Sequence, residues 1–291
     1  MAKEGAVVVT GASSGIGRAT ALHLDRQGYT VFAGVRKLKD AQSLEREGSE
    51  RMTPITLDVT KQGSIDAAKR KVQRAVGKAG LAGLVNNAGV ATPGPVEHLP
   101  VEDFQAVIDV NLTGQYRVTQ AFLPLVRRGE GTIVFVTSIG GRVATPFMSP
   151  YHASKFGVEG LADSLRREIK PWKMDVVVVE PGSIATQIWG RGGDAADRAE
   201  EKMGREARRL YGKQMDAMRA VLRRTADRGI DPDAVAKVIS RAISSGRPKT
   251  RYLVGTDAKL MRRVSSLVGD RNFDRIMRRS MNLPDDAPKA R

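Results

Sequence analysis

The sequence predicts an α/β fold, a doubly wound parallel sheet in a single domain. Short apolar runs end at turn residues, stretches of helical periodicity lie between them, and the two alternate along the chain. Ala6–Val9 is apolar throughout and stops at a glycine-rich turn, as expected of a strand buried on both faces. Ile16–Gln27 reads as a helix, with Ile16, Ala19, Leu22 and His23 on one face. Thr30–Val35 is the second strand, Ile55–Leu57 the third, and Leu81–Val85 the fourth, with a helix over Ile65–Val76 before the fourth. Val101–Val126 reads as one long helix, in which Gly114 costs about 1 kcal/mol relative to Ala. Thr132–Thr137 is strand five, Tyr151–Ile169 a helix, and Asp175–Val179 strand six, closed by Glu180-Pro181-Gly182.

Beyond Gly182 the pattern loosens. Trp189–Ala199 reads as a loop, being rich in Gly, Asp and Arg. Glu201–Thr225 is amphipathic, with Met203, Leu210, Met215, Met218 and Leu222, and fits either a mobile substrate lid or an ordinary surface helix. Asp231-Pro232 opens a helix, with Asp as cap and Pro at its first position. Tyr252–Val254 suits a last strand, and Ala258–Val268 and Phe273–Met277 suit short helices. The domain therefore divides into a core over 1–186, a loop or lid over 187–230, and a C-terminal helical extension with the last strand over 231–291.

With 291 residues the chain can bury a full core, and no linker or internal repeat divides it. No apolar run reaches the roughly 20 residues of a membrane helix, and the first strand follows the start too closely for a signal peptide. A cytoplasmic location is expected. Cys is absent, which excludes disulfides and thiol chemistry, and His23, His98 and His152 are not grouped as metal ligands. The net charge is +16, and residues 191–291 hold 25 Lys/Arg against 14 Asp/Glu. That basic third reads as a solvated surface; peripheral contact with an anionic membrane stays open. Nucleic acid is not expected as a partner, because Tyr211, Tyr252 and Phe273 are too far apart for a stacking platform.

Two separated motifs carry the chemistry. Thr10-Gly11-Ala12-Ser13-Ser14-Gly15-Ile16-Gly17 follows a strand and opens a helix, where free N–H groups and the helix dipole favour phosphate. Its spacing is G-x-x-x-G-x-G, not the commoner G-x-G-x-x-G. Tyr151 and Lys155, four apart, share one helix face, and Ser138 precedes the Tyr by thirteen residues. With Asn86-Asn87-Ala88-Gly89, Asn111, Pro181-Gly182 and Thr186, these motifs stand in an order that resembles the short-chain dehydrogenase/reductase family, from about Val7 to Thr186. The resemblance implies a Rossmann-type fold and a nicotinamide-dependent oxidoreductase. A softer similarity is to the hydroxysteroid and retinol dehydrogenase branch, through Val31-Phe32-Ala33-Gly34-Val35-Arg36 and Leu165–Trp172.

The resemblance assigns catalysis to Asn111, Ser138, Tyr151 and Lys155. Tyr has a reference pKa of about 10 and needs its phenolate stabilised to exchange protons near neutrality. Lys155 is expected to lower the Tyr151 pKa by its charge and to hold the nicotinamide ribose. Ser138 would donate to the reacting oxygen, and Asn111 would hold a water beside Lys155. The expected cofactor contacts are Gly11, Ser13, Ser14, Gly15, Ile16 and Gly17 at the phosphate turn, and Asp58 and Val59 near the adenine. Asn86, Ala88 and Gly89 are expected at the centre, with Tyr151, Lys155, Pro181, Gly182, Ile184 and Thr186 around the nicotinamide.

The cofactor choice is read from the end of strand two. NAD enzymes place an acid there, about 20 residues past the glycines. This chain has Val35 followed by Arg36 and Lys37, which suits a 2′-phosphate and favours NADP(H) over NAD(H). Pro146-Phe147-Met148 with Gln187-Ile188-Trp189 would frame a bulky apolar substrate of steroid, retinoid or lipid type. A homodimer or homotetramer is expected through Val101–Val126 and Tyr151–Ile169, from an apparent surplus of apolar residues: Phe104, Val107, Ile108, Leu112, Phe122 and Leu125, then Phe156, Val158, Leu161 and Leu165. The rival readings are an NAD-dependent dehydrogenase of a small hydroxy acid, a dinucleotide sensor without chemistry, and a nucleic-acid-binding relative.

Overall fold

The computed structural model describes the backbone of residues 5–185 and 187–284, and their side chains outside 187–202 and 226–228. The strands are β1 (Ala6–Val9), β2 (Thr30–Val35), β3 (Met52–Thr56), β4 (Gly83–Asn86), β5 (Thr132–Val136), β6 (Asp175–Pro181) and β7 (Arg251–Val254). They form one parallel sheet in the order β3-β2-β1-β4-β5-β6-β7. The helices are α1 (Gly15–Arg26), α2 (Leu38–Glu47), α3 (Gln62–Val76), α4 (Val101–Ile108), α5 (Gly114–Arg128), α6 (Ser149–Glu168), α7 (Gln187–Arg228), α8 (Pro232–Ser244), α9 (Thr256–Leu267) and α10 (Asp270–Ser280).

Alternation along each strand sorts the core into two layers. Val8, Phe32, Leu84, Ile133, Phe135, Val176 and Val178 face α3, α5 and α6. Val7, Val9, Val31, Val85, Val134, Val177 and Val179 face α1, α2 and α8. Because both faces are covered, the strands read as unbroken apolar runs. Strand order reverses between β1 and β4, and in such sheets the crevice for a ligand opens at the carboxyl ends on either side of that reversal.

Several elements depart from the sequence reading. α2 was not legible: among its ten residues Leu44 alone is fully buried. The predicted helix Val101–Val126 is split by a π-turn at Asp109–Thr113, so Asn111 sits on a local distortion, not in a regular helix. The expected loop Trp189–Ala199 is helical and belongs to α7, where Ala195, Ala196, Ala199 and Glu200 outweigh the glycines. Non-helical φ/ψ in α7 falls at Gly204. In the C-terminal segment β7 completes the sheet, α8 packs in the layer with α1, and α9 and α10 follow. Asp231 caps α8 as expected, accepting from the Asp233 N–H at 2.8 Å. No helix among the described residues is long and apolar enough to cross a membrane.

Most of the apparent apolar surplus on α4, α5 and α6 is core. Val107, Phe122, Leu125, Val158 and Leu165 are buried, while Phe104 and Phe156 are exposed. Phe122 is completely buried among residues of α3, α5 and the sheet. Phe122→Ala is expected to lower stability by about 3–5 kcal/mol, read as a shift of the urea midpoint at unchanged slope.

Candidate active site

The site begins at the end of β1. Gly11 (φ 66°) and Gly15 (φ 55°) hold the left-handed backbone that turns the chain back onto α1. A Cβ at Gly17 would collide with the Gly11 carbonyl oxygen and with Asn87 Nδ2, so the helix start approaches the strand ends closely. Ser14 is the N-cap of α1 in extended conformation, and its hydroxyl makes no capping bond.

Thr10 and Asn87, named in the motifs above but given no contact there, fix this turn. Thr10 Oγ1 accepts from the N–H groups of Asn87 (2.9 Å) and Ala88 (3.0 Å). Asn87 Nδ2 donates to the carbonyls of Thr10 (3.0 Å) and Gly11 (3.3 Å). Asn86 departs from expectation. Strand alternation turns it the other way, where it is fully buried and donates to Thr119 Oγ1 at 2.9 Å. It ties β4 to α5 and does not line the groove, which Asn87 and Gly89 do.

The groove runs from Ile16 past Asn87 and Gly89 to Val136, Ser138, Tyr151 and Lys155, with Pro181, Gly182 and Ile184 opposite. Its polar end is built on three elements. Ser138 leaves β5, accepts from the Gly140 N–H at 3.0 Å, and is hydrogen-bonded to Tyr151. Tyr151 and Lys155 come from the first two turns of α6. Lys155 Nζ donates to the Val136 carbonyl at 2.9 Å and lies 5.6 Å from the centre of the Tyr151 ring.

Burial governs the titration here. Burial pushes Tyr151 above 10, and the Ser138 hydrogen bond pulls it back. In the protein alone, burial outweighs the Ser138 bond, and the lowering expected from the Lys155 charge is not the dominant influence. Burial also lowers Lys155 to about 8, opposed by the negative charge of Glu159 one turn further along α6. This lysine therefore weakens folding while charged, and its contribution to stability rises with pH from about 8 to about 10.5.

Behind Lys155 lies a network of ion pairs. Glu159 accepts from Thr137 Oγ1 (2.8 Å), Arg142 Nη2 (3.1 Å) and Arg251 Nε (3.2 Å). Glu180, also buried, accepts from Arg142 Nε at 2.9 Å, and Arg251 Nη2 donates to Asp163 Oδ1 at 2.9 Å. These pairs lock together the element ends that bear Ser138, Lys155 and Pro181.

Asn111 is buried and committed. Its Oδ1 accepts from Val90 N–H (2.8 Å), and its Nδ2 donates to the Val90 carbonyl (2.9 Å) and Ser154 Oγ (3.0 Å). Both amide protons of Asn111 are thus in use. Gly114, read as a cost, is a packing necessity, because a Cβ there would lie 2.8 Å from Val59 Cγ2.

Asp58 accepts from the N–H and hydroxyl of Thr60. Burial would raise it, but those bonds and the nearby Arg36 and Lys61 charges hold it below the usual carboxylate range. Arg36 itself is exposed at the end of β2. Asp257 of α9 is a further residue missed from sequence: its Oδ2 accepts from Ser183 N–H at 2.7 Å and fills the space a Cβ at Gly182 would need. Ser13 and Ala88 lie on the turns described, and Ile184 is buried in a bridge to Ile230. Thr186 and the side chains of Gln187, Ile188 and Trp189 lie outside the described residues. Phe147 and Met148 do reach the site, in an apolar cluster where Met148, Tyr151, Met218, Met277 and Met281 are buried together.

A parallel sheet with a glycine turn at its order reversal and a Ser-Tyr-Lys group at its carboxyl edge defines a nicotinamide-dependent dehydrogenase fold. The short chain dehydrogenase family model matches residues 5–197. The chain belongs to that family and is a short-chain dehydrogenase/reductase. It is 39% identical over 259 residues to retinol dehydrogenase 16 of Mus musculus, covering 87% of this chain and 81% of the relative. It is 33% identical over 274 residues to an NADPH-dependent 3-dehydrocapnine reductase of Ornithobacterium rhinotracheale, covering 92% and 94%. A short-chain dehydrogenase structure from Streptomyces avermitilis aligns with a TM-score of 0.75 at 27% identity, over 96% of this chain and 99% of that one.

Glu159→Gln is expected to cost roughly 3–5 kcal/mol, because it leaves Arg142 and Arg251 facing one buried carboxylate fewer. Denaturant titration of the variant at neutral pH measures it.

Proposed function

We propose that this chain is an NADP(H)-dependent oxidoreductase that interconverts a secondary alcohol and a ketone, or an alcohol and an aldehyde, on a bulky apolar substrate. The observation that carries the reading is the meeting of Ser138, Tyr151 and Lys155 at the inner end of the groove that starts at the glycine turn. The residues fit a dinucleotide: Gly11 and Gly15 turn the chain with left-handed φ at the start of α1, Gly17 adds no side chain to the first turn, and Ser14 keeps its hydroxyl out of the helix cap. When bound, the nicotinamide supplies or accepts the hydride.

The protein's own groups handle the proton. Tyr151 Oη gives it to the carbonyl oxygen in reduction and takes it from the hydroxyl in oxidation. Its raised pKa keeps it protonated, ready for reduction, and proton removal calls for positive charge nearby. Lys155, close to Gly89, brings one such charge and in this reading would hold the ribose hydroxyls. Ser138 donates to the same substrate oxygen and steadies negative charge developing there.

Two observations favour a bulky apolar substrate. Tyr151 is packed among Met148, Met218, Met277 and Met281, with Phe147 and Phe273 beside them, and methionines adapt to irregular apolar shapes. The mouse relative is named for retinol. Residues 187–230 act in this reading as the substrate lid, with Gly204 (φ 79°) as the break in its helix. Exposed Val101, Phe104, Tyr116 and Phe156 favour a homodimer or homotetramer through α4, α5 and α6.

The preference for NADP(H) rests on Arg36, exposed past β2, with Val35 where a carboxylate would repel a 2′-phosphate. A relative named as NADPH-dependent supports it. Arg36→Ala is expected to weaken NADPH binding by roughly tenfold to a hundredfold, the value of about 1.5–3 kcal/mol for a charged hydrogen bond, and to leave NADH nearly unchanged. Val35→Asp is expected to reverse the preference. Fluorescence titration of both cofactors decides; equal affinities in the wild type, or parallel losses in Arg36→Ala, would overturn the assignment.

Tyr151→Phe tests the chemistry. It should cut kcat by at least about a hundredfold while NADPH still binds. All-trans-retinal reduction followed at 340 nm, beside the cofactor titration, separates the two effects, and a variant of wild-type activity would refute the role.

A further inference from the structure

His152 follows Tyr151 directly and is buried. Its Nε2 lies 2.9 Å from the backbone nitrogen of Thr145, and its Nδ1 lies 2.8 Å from the Gly140 carbonyl oxygen. A backbone N–H can only donate and a carbonyl can only accept. Nε2 must therefore be the bare acceptor and Nδ1 must carry the proton, so the neighbours leave one neutral tautomer. The Thr145 hydroxyl, also 2.9 Å from Nε2, can donate to the same lone pair.

The ring is thus a clasp across residues 140–145. Gly140 joins the two rings to Ser138. Its N–H donates to Ser138 Oγ and its carbonyl binds His152, so one residue, through its two flanking peptide groups, links the imidazole to the hydroxyl beside Tyr151. A Cβ at Gly140 would stand 3.0 Å from His152 Nδ1 and 3.1 Å from Tyr151 Cε1, so the two rings close on this residue together. They meet edge to face at 5.6 Å. Beyond Thr145 the chain runs into Pro146, Phe147 and Met148, where Phe147 adopts a left-handed φ of 63°. Such a conformation persists in a non-glycine residue only when its surroundings hold it.

We propose that His152, as the neutral Nδ1–H imidazole, is a positioning residue that fixes Ser138 and the Pro146–Met148 wall against Tyr151. The inference rests on the proposed oxidoreductase reading for its effect on turnover, and on geometry alone for the tautomer. Protonation puts an N–H at Nε2 facing the N–H of Thr145, which opens the clasp. The charged groups on the surrounding elements are engaged elsewhere: Lys155 with the Val136 carbonyl, Arg142 with Glu159 and Glu180. Burial lowers the His152 pKa below 6.5, opposed by the Gly140 bond. With the folded pKa depressed, the clasp is intact above 6.5 and is lost as pH falls through the folded value.

The test has a spectroscopic arm and a kinetic arm. Long-range 1H–15N correlation spectra of the full chain, titrated from pH 8 downward, resolve the rings of its three histidines, and His152→Gln assigns the third. The expected pattern is Nδ1–H, with the ring still neutral at pH 6.5 and charging only as the pH falls below it; an Nε2–H pattern, or a charged ring at pH 7, overturns the proposal. For kinetics, all-trans-retinal and NADPH are the probes. His152→Leu removes both bonds and should lower kcat by roughly tenfold to a hundredfold. NADPH affinity should stay within about twofold, since the phosphate turn lies away from the clasp. His152→Gln can donate and accept at the same two points, so it should recover most of the activity and lose the acid limb of the pH profile. Unchanged kcat in His152→Leu, loss of NADPH binding in step with kcat, or an acid limb surviving in His152→Gln would each overturn it. A wild type inert toward retinal would count against the substrate class, and the spectra would still decide the tautomer.

Discussion

The carboxyl edge of this sheet is organised around one buried ammonium group. Lys155 is 4% exposed, and a lone charge at that depth costs several kcal/mol. The chain offsets the cost with the Val136 carbonyl and with Glu159, itself a buried carboxylate that must be matched. Arg142 and Arg251 match it, and in doing so take up Glu180 and Asp163. A single charge thus propagates into a network spanning α6, the turn after β5, β6 and the first residue of β7. Each carboxylate has a guanidinium against it, so the cluster is closed to further charge. In such closed clusters a missing member leaves an unmatched buried ion, which is why they hold geometry firmly.

A second constraint meets the first at Gly89. The glycine turn and β4 are laced together by Thr10 and Asn87 through hydrogen bonds that use both backbone and side chain. That lacing satisfies polar groups at strand ends which otherwise face an open groove. Gly89 passes close to Asn111 Oδ1 and Lys155 Nζ, so the dinucleotide cradle and the Tyr-Lys face are separated by one glycine. The π-turn that carries Asn111 serves the same junction. It lets Asn111 reach Val90 and Ser154 together, binding the loop after β4 to α6.

The parts of this architecture legible in the sequence were those where one residue type has one physical use. Apolar runs closed by glycine gave the strands, and the left-handed Gly11 and Gly15 gave the turn. The Tyr151 and Lys155 spacing gave the face they share. The parts that were not legible depend on direction or on packing at a distance. Asn86 and Asn87 are chemically identical, and only the phase of β4 decides which faces the groove. α2 offers one fully apolar anchor, because it covers the sheet edge through Leu44 and three partly buried residues, Asp40, Ala41 and Ser43. Gly114 announces the π-turn only once Val59 is known to lie against it. The sense of the Tyr151 shift followed from burial, a tertiary property that a local Tyr-Lys spacing does not contain.

The C-terminal segments complete the site and do not merely extend the domain. Asp257, in the first turn of α9, holds the Ser183 N–H and stands where any side chain at residue 182 would collide, so the loop after β6 is set from seventy-four residues further on. Met277 and Met281 close on Tyr151 from α10, opposite Met218 of α7. These contacts make the Tyr151 phenol part of an apolar core shared by α6, α7 and α10. Its raised pKa and its apolar surroundings are then one fact: the apolar side chains of these elements that pack on the phenol are the ones that remove water from it.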